Sequence, residues 1–327
     1  MADTNRPLKC IWCHGLGPVR SSRFRSRSWP TWTCVNCDVD FIWPIPDNGE
    51  LKRYYDYDSY ASAIYSVPDD ISRNKHLTVP CVLDQVRPFI KAPGRLLDVG
   101  CSVGNLLLSA TQRGWTCTGV ELDERTAEIA RERAHCEVRA GTTTANLDGA
   151  GTFDMIVFIH SLEHFPNPRE DIEAVLRHLA PGGYLLVQVP NAASRIASIS
   201  GVMWNWYIPP LHISYFSKGS LVQVMRTLSI EPVWDATDGP GCIPFLEDLL
   251  LSPANYALRM RKHPAVASAG CDGDEVHNSA QILGKLANVR RRIDGLAMTV
   301  DSTVRKIRPE AKHTDRELTI LFRSRSQ

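Results

Sequence analysis

Four cysteines in two close pairs are the most sharply spaced reactive side chains in the sequence. Cys10-Ile-Trp-Cys13 and Cys34-Val-Asn-Cys37 form CxxC, twenty residues, CxxC. Two tight knuckles at this spacing present four thiolates tetrahedrally to one ion, and zinc suits four sulfurs. Redox-active or incidental thiols are the plainer alternative. Between the knuckles, VRSSRFRSRSWPTW sets four arginines among serines and aromatics. That composition suits a grip on phosphate, or a solvated hairpin. The other six cysteines, Cys81, Cys101, Cys117, Cys136, Cys242 and Cys271, are scattered and read as small buried hydrophobes.

A second set of residues is spaced to hold a ligand. The apolar run RLLDVG leads directly into Gly100-Cys101-Ser102-Val103-Gly104 and then NLLLSATQRG. Such a turn lets a ligand approach the backbone at a helix N-terminus. Twenty-three residues after Asp98 stands Glu121, at the end of the next apolar run. An acid there is placed to accept hydrogen bonds from a ribose diol.

The elements that must carry these residues can be read from Arg95 onward. RLLDVG, TCTGVEL, CEVRAG, FDMIVFIH and YLLVQVP read as strands, separated by helices through Arg113, from about Glu124 to His135 and around Asp171 to Leu179, with a turn at Pro181-Gly182-Gly183. IEPVWDAT and ELTILFRSR read as two more strands. Alternation of this kind predicts a mainly parallel sheet with helices on both faces, and ligands at the carboxyl ends of its strands.

LLDVGCSVGNLL followed by GVELD resembles the first two motifs of class I S-adenosylmethionine-dependent methyltransferases. FDMIVFIHSLEHFPNP, PGGYLLVQVPN and PPLHISYFSKGSL are similar to later segments of a bacterial subgroup that acts on sugars and other small molecules, and DFIWPIPDNGELKRYYDYDSY to its join with a zinc ribbon. The resemblance spans residues 95 to about 235 plus the final strand, and implies a Rossmann-like α/β fold. It places Asp98, Gly100, Cys101, Ser102 and Gly104 around the methionine part of S-adenosylmethionine, Glu121 and Leu122 at the ribose, and Thr142 near the adenine. The family usually has glycine at the position of Ser102. His160 would wall the cofactor pocket, and His164 or His212 would serve as general base for a hydroxyl acceptor, histidine being the usual choice near neutral pH. Glu163 would orient a histidine or cap its turn. Trp204, Trp206, Tyr207, Tyr215 and Phe216 fall where such folds bind acceptors, and would stack on one or form a hydrophobic lid.

The domain order expected from these signals is a zinc-ribbon module at 1–50, a helical connector at 51–92, the methyltransferase core at 93–239, a helical insertion at 240–313 and the last strand and tail at 314–327. Within the insertion Ile282, Leu286, Val289, Ile293, Leu296 and Val300 follow a heptad spacing. The helix over 282–307 either packs on its own domain or pairs two copies of the chain. Thirty-seven basic against 36 acidic residues leave a net charge of +1, so no global field draws the chain to nucleic acid or membrane. The opening MADTNRPLKC has no secretory apolar run and no apolar stretch reaches membrane-spanning length, which places the expected protein in the cytoplasm. Methyl transfer to a small molecule, at oxygen or next at carbon, is the leading expectation. An RNA methyltransferase gripping its strand with the basic ribbon is the first rival, and a catalytically inactive scaffold the second.

Overall fold

The computed structural model describes residues 7–26, 29–47, 51, 82–237 and 317–324. Most of the expected connector, the heptad segment, and Cys81, Cys242 and Cys271 lie outside the described residues. Three short strands come first: β1 (Val19–Arg20), β2 (Thr31–Thr33) and β3 (Asp40–Ile42). From Arg95 strands and helices alternate: β4 (Arg95–Val99), α1 (Asn105–Gln112), β5 (Thr116–Glu121), α2 (Glu124–Ala134), β6 (Glu137–Ala140), α3 (Thr143–Asn146), β7 (Phe153–Ile159), α4 (Pro168–Leu176) and β8 (Leu179–Pro190). Then follow α5 (Arg195–Ser200), β9 (Ser214–Tyr215), α6 (Lys218–Arg226), β10 (Ile230–Thr237) and β11 (Glu317–Ser324).

The main sheet has the order β10-β11-β8-β7-β4-β5-β6. β8, β7, β4, β5 and β6 run parallel, and β11 pairs antiparallel with both β8 and β10. Period-two alternation within each strand serves two apolar layers. Leu97 and Val99 of β4, Ile156 and Phe158 of β7, and Leu185 and Val187 of β8 join one core with Ile172 of α4 and Leu221 of α6. Leu96, Met155, Val157 and Leu186 face the other, against Leu107 of α1 and Ala127 and Ala130 of α2. Because both faces are covered, the strands read as near-continuous apolar runs. The strand order reverses between β4 and β7, which opens a crevice at their carboxyl ends.

Local chemistry fixes where the helices begin. Asp123 caps α2 by accepting from Thr126 N at 2.8 Å, and Ser217 and Ser220 form a capping box on α6. α4 begins at Pro168, three residues before the expected start, because proline is tolerated in the first helical turn, and ends at Leu176 rather than Leu179. The expected turn at 181–183 lies instead within β8. There the register jumps from Phe153↔Leu179 to Met155↔Tyr184, and Gly182 at φ +74° lets the strand bulge without leaving the sheet.

The second sheet, β1-β2-β3-β9, joins the two ends of the sequence reading. β9, from the segment after β8, pairs with β3 through Asp40↔Tyr215 and Phe41↔Ser214. Cys10, Trp12, Cys34, Cys37 and Phe41 belong to the same apolar core as the strands of the main sheet. The N-terminal unit therefore packs its interior onto the sheet face.

Candidate active site

The loop after β4 is held by the strand beside it. Gly100 N and Cys101 N both donate to Val120 O, at 2.8 and 3.1 Å. Gly100 sits at φ +76°, and a Cβ there would lie 2.6 Å from Ser161 Cβ, so only glycine fits between β4 and the chain leaving β7. Ser102 also takes a left-handed conformation, φ +53°, a region glycine enters freely and other residues rarely. Gly104 at φ +76° is the N-cap of α1. The Cys101 side chain turns inward to the α1–α2 core, and burial pushes its thiol up, away from thiolate chemistry.

Two acids face this loop. The carboxylate of Glu121 accepts Ser102 N at 2.8 Å on one oxygen, and Leu122 N at 2.9 Å and Asp123 N at 3.4 Å on the other. Burial raises its pKa, and those three N–H groups work against the rise. Asp98 is buried and accepts no hydrogen bond among the described residues, so it is not a cap on the glycine turn. Burial first, then the charge of Glu121, pushes its carboxyl up to about 8. Leu122 is about half exposed at the rim, and exposed Thr142 begins α3, next to Gly141, whose N–H donates to Glu121 O. The sequence-predicted loop, acid and rim residues thus gather at the carboxyl ends of β4 and β5.

One strand over, the end of β7 carries a cluster of imidazoles around a buried carboxylate. His160 follows β7 at φ +50°, an unfavourable backbone for a non-glycine residue. A 3-10 turn, Leu162–His164, then brings Glu163 inward to 1% exposure. Glu163 Oε1 lies 3.7 Å from His160 Nδ1, 3.9 Å from His164 Nε2 and 3.9 Å from His212 Nε2. No donor of the described residues stands within hydrogen-bond distance of either Glu163 oxygen. Two bonds bring the distant segment into register: Ile213 N donates to Glu163 O at 2.8 Å, and His164 Nδ1 donates to Leu211 O at 2.9 Å.

The three histidines do not share one protonation state. Burial, aided by the charge of His164, drives the His212 ring down to about 3, so it is neutral. Burial also disfavours charge on His160, but Glu317 at 3.5 Å and Glu163 outweigh it and raise that ring to about 9. Glu163 would rise through burial alone, yet the surrounding imidazoles bring it below the usual carboxylate range. Trp206 stacks on His160 at 5.3 Å and on His212 at 6.0 Å, nearly parallel to both. Trp204, Tyr207 and Tyr215 instead pack with Phe24 and Ile42 into a third apolar core, and Phe216 packs edge-on against Trp12. Of the five aromatics expected to meet an acceptor, four join the N-terminal unit to the sheet; Trp206 stands at the cluster, and Tyr215 also reaches it, its ring 6.4 Å from that of His212.

The four paired cysteines converge as the spacing predicts. Their sulfurs all lie within 4.8 Å of one another, with Cys10 and Cys37 at 3.7 Å and Cys13 and Cys34 at 3.4 Å. Trp12 N, Gly15 N and Asn36 N point at the sulfurs of Cys10, Cys13 and Cys34 at 3.3, 3.4 and 3.4 Å. Donors aimed at sulfur in this way favour thiolates, the form in which cysteine holds a metal. In the hairpin between the knuckles Arg23 is paired with Asp40, and Arg20 lies over the Trp32 ring at 5.3 Å.

Residues 75–229 match a family model described as a methyltransferase domain. Over those residues the chain is similar to class I S-adenosylmethionine-dependent methyltransferases. It is 29% identical over 128 residues to a ubiquinone biosynthesis O-methyltransferase of Caulobacter sp. (strain K31), covering 36% of this chain and 51% of that one. A protein of the same name from Bordetella avium (strain 197N) is 32% identical over 153 residues, 44% of this chain and 62% of that one. The chain thus spans about half to two-thirds of the length of these curated relatives. The [4+2]-cyclase SpnF superposes with a TM-score of 0.53 at 17% identity, over 86% of this chain and 98% of that one. That likeness concerns the fold alone. No helix among the described residues is long and apolar enough to cross a membrane.

Around the site, sequence reasoning missed Glu317 and the part played by Trp206. Glu317 opens β11 and reaches His160 only because β11 pairs with β8 through Glu317↔Pro190. No local pattern signals that pairing. Glu163 was visible in SLEH, but three histidines converging on it could not be read from spacing.

Proposed function

We propose that this chain transfers a methyl group from S-adenosylmethionine to an oxygen of a small organic acceptor such as a sugar, glycolipid precursor or other natural product. The observation that carries the reading is one buried rim at the carboxyl ends of β4, β5 and β7. On it an unpartnered acid, Asp98, a second acid held open by backbone N–H groups, Glu121, and the His160–Glu163–His164–His212 cluster stand side by side. The acids fit the cofactor: Asp98 offers a buried carboxyl to the cationic methionine part, and Glu121 a fixed acceptor for a ribose diol, with Gly100, Cys101, Ser102 and Gly104 lending backbone and Leu122 and Thr142 flanking the adenine side. When bound, S-adenosylmethionine supplies a methyl carbon activated by its sulfonium. The protein's task is then alignment, which can supply roughly 7–11 kcal/mol of the barrier. His160 and Trp206 wall the site, and His164 and His212 are the residues toward which an acceptor hydroxyl gives up its proton.

Relatives named for O-methyl transfer support oxygen over carbon. A net charge of +1, with Arg23 paired internally and Arg20 over Trp32, supports a small acceptor over nucleic acid. The four-thiol cluster supports a structural zinc at Cys10, Cys13, Cys34 and Cys37 within the 1–50 module.

Calorimetric titration with S-adenosylmethionine and S-adenosylhomocysteine tests the reading first. Micromolar binding of both, followed by label transfer from methyl-labelled cofactor to a hydroxylated acceptor in a metabolite panel, is the expected result. Absence of cofactor binding would leave the scaffold alternative standing.

A further inference from the structure

The His–Glu cluster holds a buried carboxylate with His160 on one side and two further imidazoles on the other. His164 Nδ1–H donates to Leu211 O, so the nitrogen left to act as a ligand is Nε2, the atom that faces Glu163. The His212 ring is stacked against Trp206, and its Nε2 also faces Glu163. Two imidazole nitrogens therefore converge on a carboxylate that is 1% exposed and accepts no hydrogen bond among the described residues. A carboxylate and two imidazole nitrogens gathered out of water on the side away from His160 form an arrangement that a bound cation would complete.

The spacing is that of ligands rather than of hydrogen-bonded partners. Distances of 3.9 Å from Glu163 Oε1 to each Nε2 are too long for a hydrogen bond. Two ligands held about 2.1 Å from one ion stand at most ~4.2 Å apart, and the three atoms here lie within 4.8 Å of one another. Movement of a few tenths of an ångström draws all three onto a common centre. The His164 ring is also held through its remaining nitrogen, the pattern by which metal-ligating histidines are oriented.

We propose that Glu163, His164 and His212 bind a divalent transition-metal ion, a site separate from the four cysteines and positioned to take the acceptor's oxygen as a further ligand. Two imidazoles and one carboxylate suit zinc, iron or cobalt, and leave coordination positions open. This deepens the O-methyl transfer reading and rests on it. Once ligated, an acceptor hydroxyl is more acidic, and its O–H bond breaks with the proton passing to water. The oxygen's electron pair forms the O–CH3 bond as the S–CH3 bond breaks, and that pair stays on sulfur, which loses its positive charge. With the ion bound, His164 and His212 act as ligands, and the ion replaces a free base.

Cobalt(II) alone is the probe, titrated into full-length protein whose cysteine site is already saturated with zinc. One further cobalt per chain is expected, with visible d–d bands and no near-ultraviolet thiolate charge transfer. Glu163→Gln and His164→Gln should each weaken that binding by more than tenfold while S-adenosylmethionine binding, measured on the same preparations, is retained. Absence of the extra cobalt in the unmodified protein, a thiolate spectrum, or affinity unchanged in both variants overturns the site. Cofactor binding without cobalt binding removes the ion and leaves methyl transfer in place. Cobalt binding without cofactor binding removes the methyl-transfer reading and leaves a metal site.

Discussion

Asp98 and Glu121 sit on adjacent strands in the same buried rim, yet their environments differ. Glu121 is surrounded by backbone donors that fix its oxygens, so its side chain is the more rigid recognition element. Replacing it with alanine removes the proposed ribose acceptor, and Glu121→Ala is expected to weaken S-adenosylmethionine binding by more than tenfold, about 1.4 kcal/mol or more. Calorimetry gives the affinity and circular dichroism the fold; unchanged affinity would remove Glu121 from the ribose. Asp98 has no such donors, and its carboxyl, raised to about 8, is largely protonated in the free protein at pH 7. A cationic ligand beside it favours the carboxylate, so binding at pH 7 should release a proton. Affinity should then rise with pH toward 8 and level off above it. Titrations at pH 7 in two buffers of different ionisation enthalpy measure that proton, and Asp98→Asn should abolish it. Equal heats in both buffers for the unmodified protein would contradict a protonated Asp98.

At the scale of elements, the crossing of α1 and α2 depends on one missing side chain. Gly104 caps α1 in a left-handed conformation, and a Cβ there would lie 3.1 Å from the Ala130 backbone of α2. Gly104→Ala adds a left-handed penalty of roughly 1–2 kcal/mol and forces the helices apart. Both the urea midpoint and cofactor affinity should fall. A mutant with the unfolding midpoint of the parent would mean that this contact does not set the start of α1. The bulge in β8 shows the opposite case, in which an element tolerates irregularity. Pro181-Gly182-Gly183 resembles a turn locally, but strand pairing on both sides keeps it in the sheet.

For the molecule as a whole, the decisive feature is that the N-terminal unit and the segment after β8 complete each other. β9 supplies the fourth strand of the small sheet, Trp12 Nε1 donates to Ser214 Oγ at 2.9 Å, and Thr31 Oγ1 meets the Tyr207 hydroxyl at 2.9 Å. The same segment carries Trp206 and His212 into the histidine cluster. Loss of the proposed zinc should therefore travel beyond the cysteines. Chelation, or Cys34→Ser, is expected to lower one cooperative melting transition by about 3 °C, the shift that a loss of about 2 kcal/mol gives a chain of this length at about 2.1 cal/mol/K per residue. It should also change the fluorescence of Trp204 and Trp206. An early separate transition with the main melt unmoved would show that the unit unfolds by itself.

The sequence by itself determined what local chemistry can determine. Near-continuous apolar strands alternating with helices specified the β–α order and its two-faced sheet, because a strand apolar on both faces must be covered on both. The CxxC pairs fixed the four-thiol cluster, and the strand, glycine turn, helix and following acid fixed the cofactor-side rim, since each of those residues acts through a neighbour close in the chain. Tertiary structure alone decided the rest. Glu317 meets His160, more than 150 residues earlier in the chain, through the pairing of β11 with β8, and His212 meets Glu163 through one backbone bond and one side-chain bond to a separate loop. Whether Trp206 or its aromatic neighbours face the site was settled by which of them the N-terminal unit buries. Contacts of this kind depend on packing between distant segments, and no periodicity in a single stretch of chain records them.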